Sequence, residues 1–155
     1  MLELSSFMKL DVKNLVFGAV GETDDFDLDL TDYKLSDDLI ATSLKGKIKL
    51  TRLDESVLAQ LQGEAVLNAE CDRCLSEFEL KVSFELTQEY FIGGFRENPE
   101  DLLVSKHFEA DIEEPMREEI ILALPVRRLC HKGCKGLCPH CGTNLNKGKC
   151  KCVKS

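Results

Sequence analysis

No acidic residue occurs between Pro125 and Ser155, although the chain holds 28 Asp and Glu in its 155 residues. Eight of its 20 Lys and Arg fall in that same stretch. Aromatic residues are missing there too, since no Phe, Tyr or Trp follows Phe108. A segment without carboxylates does not repel phosphate, and one without aromatic rings has no platform on which to stack bases. No apolar run reaches the roughly 20 residues of a membrane span. The start, M-L-E-L-S-S-F-M-K-L-D, lacks a basic region followed by an apolar block and a small-residue cleavage site. That predicts a chain without a secretory leader, in the reducing cytoplasm, where thiolates bind metals more readily than they form disulfides.

Catalytic signatures are equally sparse. There is no nucleophile elbow, P-loop or dinucleotide fingerprint. C-P-H-C at 138–141 has the spacing of half a zinc-deaminase motif, and His107-Phe108-Glu109 is an H-x-E, but Leu137 rather than proline precedes Cys138, and cysteines crowd around the pair as in a structural site. Asp24, Asp25, Asp27, Asp29, Asp32, Asp37 and Asp38 form an acidic region without the order of a calcium loop, and read as solvated carboxylates. The histidines are His107, His131 and His140, the last two inside cysteine loops. The expectation is a protein that is not an enzyme.

What the chain does have is cysteine at short spacing. Six of its eight cysteines lie between Cys130 and Cys152, among Gly, Pro and Asn, and Cys71 and Cys74 form a further C-x-x-C. Such turns let two sulfurs of one loop point at one ion, and a second pair closes a tetrahedral cage. The expected arrangement is two structural zinc sites. Cys138, Cys141, Cys150 and Cys152 form one; Cys71 and Cys74 join Cys130 and Cys134 in the other. The tight C-x-C of Cys150 and Cys152 leaves open that Cys134 replaces one of them.

Around this segment the sequence reads as α+β. The fold expected is a mainly antiparallel sheet or partly open barrel, covered by one C-terminal helix and followed by the cysteine-rich tail. Phe26 to Leu30 alternate as a half-buried strand, residues 31–42 read as a surface connection, and 43–91 are the sheet proper. Short apolar patches at Leu2–Leu10 and Leu15–Val20 precede it, with turns at Gly18 and Gly21. Val57 to Cys71 and Phe78 to Leu86 hold strict alternation, so Cys71-Asp72-Arg73-Cys74 falls at a hairpin tip. Residues 92–107 read as a long loop with a helical turn after Pro99. Ile112, Met116, Ile120 and Leu124 recur at helical spacing, with Asp111 as cap and Pro125 as stop. The division expected is a sheet body over 1–125, its helix near 112–124, and a basic zinc-binding tail over 126–155.

Three motifs in this order, C-D-R-C-L at 71–75, E-E-I-I-L-A-L-P at 118–125 and C-K-G-L-C-P-H-C-G-T-N-L-N at 134–146 with a final C-K-C, resemble the YceD family. The resemblance runs from about residue 44 onward. It implies a factor in ribosome biogenesis, linked to accumulation of large-subunit ribosomal RNA in bacteria and chloroplasts. The charge split makes Arg127, Arg128, Lys132, Lys135, Lys147, Lys149 and Lys151 the candidate RNA contacts, with the acidic body turned away or binding a protein. Two other classes fit the residues: a zinc-ribbon adaptor between proteins, for example in transcription, and a thiol oxidoreductase built on Cys71 and Cys74.

Overall fold

The computed structural model describes residues 8–94 and 96–152. Leu2 to Phe7 of the first apolar patch, Phe95 of the expected loop and Lys154 of the basic tail lie outside the described residues. Four long strands form an antiparallel meander: β2 (Thr23–Ser36), β3 (Leu39–Arg52), β4 (Ser56–Glu70) and β5 (Glu77–Phe91). Before them come β1 (Lys9–Asp11) and the short helix α1 (Lys13–Val16); after them come β6 (Leu102–Leu103), β7 (Glu109–Asp111) and the helix α2 (Glu113–Ala123). The main sheet has the order β2-β3-β4-β5-β6, and β1 pairs separately with β7. It is an open sheet: its end strands do not meet, so no barrel closes.

Alternation decides which face is buried. Leu44, Ile48 and Leu50 of β3, Leu61 and Leu67 of β4, and Phe84, Leu86 and Tyr90 of β5 are all at most 4% exposed. The opposite face is charged. Asp25, Asp27 and Asp29 on β2 stand directly across from Lys49, Lys47 and Lys45 on β3. Of these pairs, Lys45 and Asp29 approach to 3.9 Å with both side chains well exposed, which limits its contribution to under about 1 kcal/mol.

The apolar face is covered by Met8, Val12 and Leu15 from the N-terminal segment and by Ile112, Met116 and Ile120 from α2, all in one core. Each large side chain buried this way stabilises the fold by roughly 1.5–3 kcal/mol. Tyr90 donates its hydroxyl to the carbonyl of Asp111 at 2.7 Å, which fixes where the helix begins. The Asp111 carboxylate accepts the Glu113 N–H at 3.0 Å, one position before Ile112, the residue that caps the helix. Pro115 sits in the first turn, where its missing N–H costs nothing. Leu124 is extended because Pro125 follows it, and the helix stops there. Among the described residues no helix is long and apolar enough to cross a membrane.

Residues 31–42 are not a surface connection. They are the end of β2, a two-residue turn at Asp37 and Asp38, and the start of β3. The alternation breaks at Asp32, whose φ of 51° is left-handed, although the pairing with β3 keeps its register from Thr31↔Ser43 to Tyr33↔Ala41. Phe26, Leu28 and Leu30 turn inward before it, and Tyr33 and Leu35 after it, so the parity switches while the strand continues. The Leu15–Val20 patch begins in the short helix α1. The expected loop over 92–107 contains β6, parallel to β5. After Pro99 there is only a hydrogen-bonded turn, Asp101 N–H to the Asn98 carbonyl at 3.1 Å.

Across the middle of the sheet, Leu28, Gly46, Gly63 and Phe84 lie in one row on the apolar face. A Cβ on Gly63 would meet the Phe84 ring at 2.7 Å and the Lys45 carbonyl oxygen at 2.8 Å. The ring therefore occupies the space the glycine leaves, and the backbone oxygen cannot give way cheaply. Gly63→Ala is expected to lower stability by about 1–3 kcal/mol in urea unfolding. An unchanged midpoint would show that the ring does not lie on the glycine.

Candidate metal centres

Two loops in the chain are built alike. In Cys71–Ser76, the Cys71 N–H donates to the Ser76 carbonyl at 2.9 Å and the Leu75 N–H to the Cys71 carbonyl at 2.9 Å. In Cys138–Thr143, the Cys138 N–H donates to Thr143 at 2.8 Å and the Gly142 N–H to Cys138 at 2.9 Å. Both need a left-handed residue after the second cysteine: Gly142 at φ 72°, and Leu75 at φ 59°. Glycine takes that conformation freely, whereas a leucine costs roughly 1–2 kcal/mol there. The backbone amides inside each loop point at the sulfurs, as thiolates require.

The first loop caps the β4–β5 hairpin, and the tail returns to it. The Asp72 N–H donates to the Arg128 carbonyl at 2.8 Å. The Arg128 N–H donates to the Asp72 carboxylate at 2.7 Å, and the Arg73 guanidinium donates to the Cys134 carbonyl at 3.0 Å. Gly136, at φ 75°, packs against the Arg73 carbonyl, which a Cβ would approach to 3.2 Å. Around these contacts a small second core forms from Cys71, Cys74 and Cys134, with Phe78, Leu129 and Leu137 against it.

The structure brings Cys71, Cys74, Cys130 and Cys134 into one group and Cys138, Cys141, Cys150 and Cys152 into another, with the sulfurs of each group within 4.8 Å of one another. Cys71 and Cys134 stand 3.7 Å apart, as do Cys74 and Cys130. Zn–S bonds of about 2.3 Å in a tetrahedron put the sulfurs about 3.8 Å apart, so four thiolates here suit that ion. A disulfide needs about 2.05 Å, and all eight cysteines are free. The second group is tighter, with Cys150 3.4 Å from Cys141 and 3.2 Å from Cys138. Cys134 belongs with the first group. His131 comes within 3.1 Å of the Cys130 sulfur without joining the four.

The groups differ in access. Cys71, Cys74 and Cys134 are at most 5% exposed, whereas Cys141 is exposed and Cys150 and Cys152 are partly so. They are alike in their proton balance. Burial opposes ionisation of Cys71, but amides of Cys74, Cys130 and Arg73 outweigh it and bring the thiol down to about 6. The Thr143 hydroxyl, then its amide, bring Cys141 to about 6. Burial and then the Cys74 sulfur push Cys130 up to about 12, and Cys150 and Cys141 push Cys152 up to about 12. Each group thus pairs a thiol that ionises easily with one that does so only when a cation displaces its proton.

Arg127, Lys132, Lys135, Lys147, Lys149 and Lys151 are exposed and Arg128 is half-buried. Lys132 and Lys135 flank the first group's ligands, and Lys147, Lys149 and Lys151 lie on the loop that closes the second. Among the described residues, none of the seven forms an ion pair. Sequence reasoning missed Asp72, Arg73, Ser76, Thr143, Asn144 and Asn146, which position the two loops. Ser76 and Thr143 carried a signal: each follows a C-x-x-C by two residues.

A family model described as large ribosomal RNA subunit accumulation protein YceD matches residues 59–155. That is more than half of the chain, and the chain belongs to this family. It is similar to large ribosomal RNA subunit accumulation protein YCED homolog 1, chloroplastic, of Arabidopsis thaliana, with 29% identity over 68% of this chain and 40% of that protein. Uncharacterized proteins of Mycobacterium bovis and Mycobacterium tuberculosis are each 31% identical over 63% of this chain and 49% of theirs. The chain thus spans less than half the length of these curated relatives. No solved structure matches it.

In protein stripped of metal, Cys141 is expected to be alkylated first. It is exposed, and its thiolate is the main form once the pH exceeds about 6. Its rate with iodoacetamide should climb through pH 6 and then level, while Cys152 stays slow at neutral pH. Thr143→Val, which removes the hydroxyl donor, should slow Cys141 at pH 7. Peptide mapping by mass spectrometry reads both, and Cys152 reacting ahead of Cys141 would refute the assignment.

Proposed function

We propose that this chain is a non-enzymatic factor in ribosome biogenesis that supports accumulation or processing of large-subunit ribosomal RNA, holding two structural zinc ions and touching RNA with its basic tail. The family and the printed name of the chloroplast relative support the ribosomal part of this reading. The observation that carries the rest is the tail itself: eight basic and no acidic residues, folded around two sets of four thiols. The working division is a sheet body over 1–125 and a zinc-binding tail over 126–155, and the working compartment is the cytoplasm. Thiolate cages stiffen a segment too short for a large core, so fewer side-chain and loop motions are lost when phosphate binds. Each four-thiolate zinc site contributes about −2 formally, which trims but does not cancel the tail's charge. Without aromatic rings, contacts fall on the RNA backbone and sequence preference is weak.

Zinc at Cys71, Cys74, Cys130 and Cys134 would tie the body to the tail. The Cys71–Cys74 loop joins two strands rather than opening a helix, which favours a ligand pair over a redox pair. Protein purified without chelator is expected to contain two zinc ions per chain by elemental analysis. Cys71→Ser should lower its melting temperature by several degrees, because metal binding contributes to folding. One zinc or none, or an unchanged melting curve, would count against the two-site arrangement.

The adaptor reading is favoured by one observation: Leu122 and Val126, at the junction of helix and tail, are 77% and 100% exposed. The triple variant Lys147→Gln, Lys149→Gln, Lys151→Gln separates the two. On the RNA reading it should weaken binding to ribosomal RNA across sequences and flatten the salt dependence by roughly one charge per lost contact. Equal affinity and equal salt slope in parent and variant would put a protein partner ahead.

A further inference from the structure

The two cysteine groups are built by separate loops, yet one side chain crosses between them. Asn146 lies between Cys141 and Cys150, two ligands of the outer group, but its side chain is turned to the inner one. Its amide nitrogen donates to the Cys134 sulfur at 3.3 Å. Its amide oxygen accepts the Lys135 N–H at 2.8 Å. The loop is held in that position by the Leu145 N–H on the Gly136 carbonyl at 2.9 Å and by Asn144, whose oxygen accepts the Asn146 N–H at 3.0 Å. Asn144 also donates to the Ser76 hydroxyl, at 3.4 Å, in the Cys71–Ser76 loop.

We infer that Asn146 is a positioning residue that couples the two metal sites, so that filling the outer site strengthens the inner one. The inference rests on the zinc-binding reading above. Four thiolates around one divalent ion carry excess negative charge, and an N–H aimed at one sulfur stabilises it there. That donor is in place only while the 142–149 loop is ordered. The ends of the loop are Cys141 and Cys150, so an ion bound to them orders it. Binding free energies at linked sites are reciprocal, and an ion at the inner site therefore favours the outer one by the same factor. The exposure of the outer ligands makes theirs the first ion lost to a chelator, and its loss loosens the buried site.

The test uses the full chain loaded with zinc. Release is followed against graded chelators, alkylation mapping assigns each step to its cysteines, and circular dichroism confirms that the sheet is intact. Asn146→Ala is expected to retain two zinc ions while the inner site binds about 10–100-fold more weakly. Asn146→Asp, which when ionised accepts but does not donate, should be no better. The double variant Cys141→Ser, Cys150→Ser, which empties the outer site, should weaken the inner site by a similar factor. Adding Asn146→Ala to it should change little further, because the loop is already released. Two retained zinc ions with inner affinity unchanged in Asn146→Ala overturn the coupling alone, as does a full multiplication of the two effects. A parent that binds no zinc overturns the metal reading and the coupling together.

Discussion

The arrangement depends on one junction, where the sulfurs of the β4–β5 tip meet those of the tail. Cys74 and Cys130 touch across 56 residues of chain. Beyond Ala123 the described residues form no helix and no strand, only one isolated bridge between Leu137 and Asn144. Such a segment buries little apolar surface, and the few side chains of its small core do not offset the entropy of ordering it. A cation shared by four thiolates would supply the missing free energy.

The sheet explains why the junction lies where it does. Strands of 15 residues rise about 3.3 Å per residue and span about 50 Å. The hairpin tip thus projects beyond the core that the N-terminal segment and α2 cover. Strict antiparallel register from Ser56–Phe91 to Glu70–Glu77 brings the last pair in square, without a shift. A six-residue connection with a left-handed Leu75 then turns two sulfurs to one side. The strain at Leu75 persists because the knuckle hydrogen bonds over-determine it. In the tail the equivalent position is Gly142, where no such support is needed.

How much of this was legible depends on whether the signal was local. The strands β4 and β5 read directly, because one face alternates over Val57–Cys71 and over Phe78–Leu86. The helix α2 read from the spacing of Ile112, Met116 and Ile120, and the cysteine groups from short intervals and an even count. The second half of β2 did not read, because Asp32 shifts the parity and makes one strand look like a strand followed by a loop. With only 2 and 4 residues, β6 and α1 are too short to show a period. Asn146 was invisible for a different reason. Its partner Cys134 is 12 residues away across two turns, and only the folded loops bring amide and sulfur together.

The same geometry bears on charge. On the wet face the central Asp and Lys rows of β2 and β3 oppose each other and largely cancel. At the end next to the tail the balance differs: Glu70 and Glu77 stand directly opposite each other, with Glu79 two residues on. Like charges so placed destabilise a sheet. Screening confines their field to roughly 8 Å at physiological ionic strength. Their effect is therefore local, and on the proposed RNA reading a phosphate chain would be repelled from the strands yet still attracted to Lys147, Lys149 and Lys151. On that reading, an acidic body and a basic tail joined by metal cages would orient a polyanion, which neither charge set would do on a freely jointed chain.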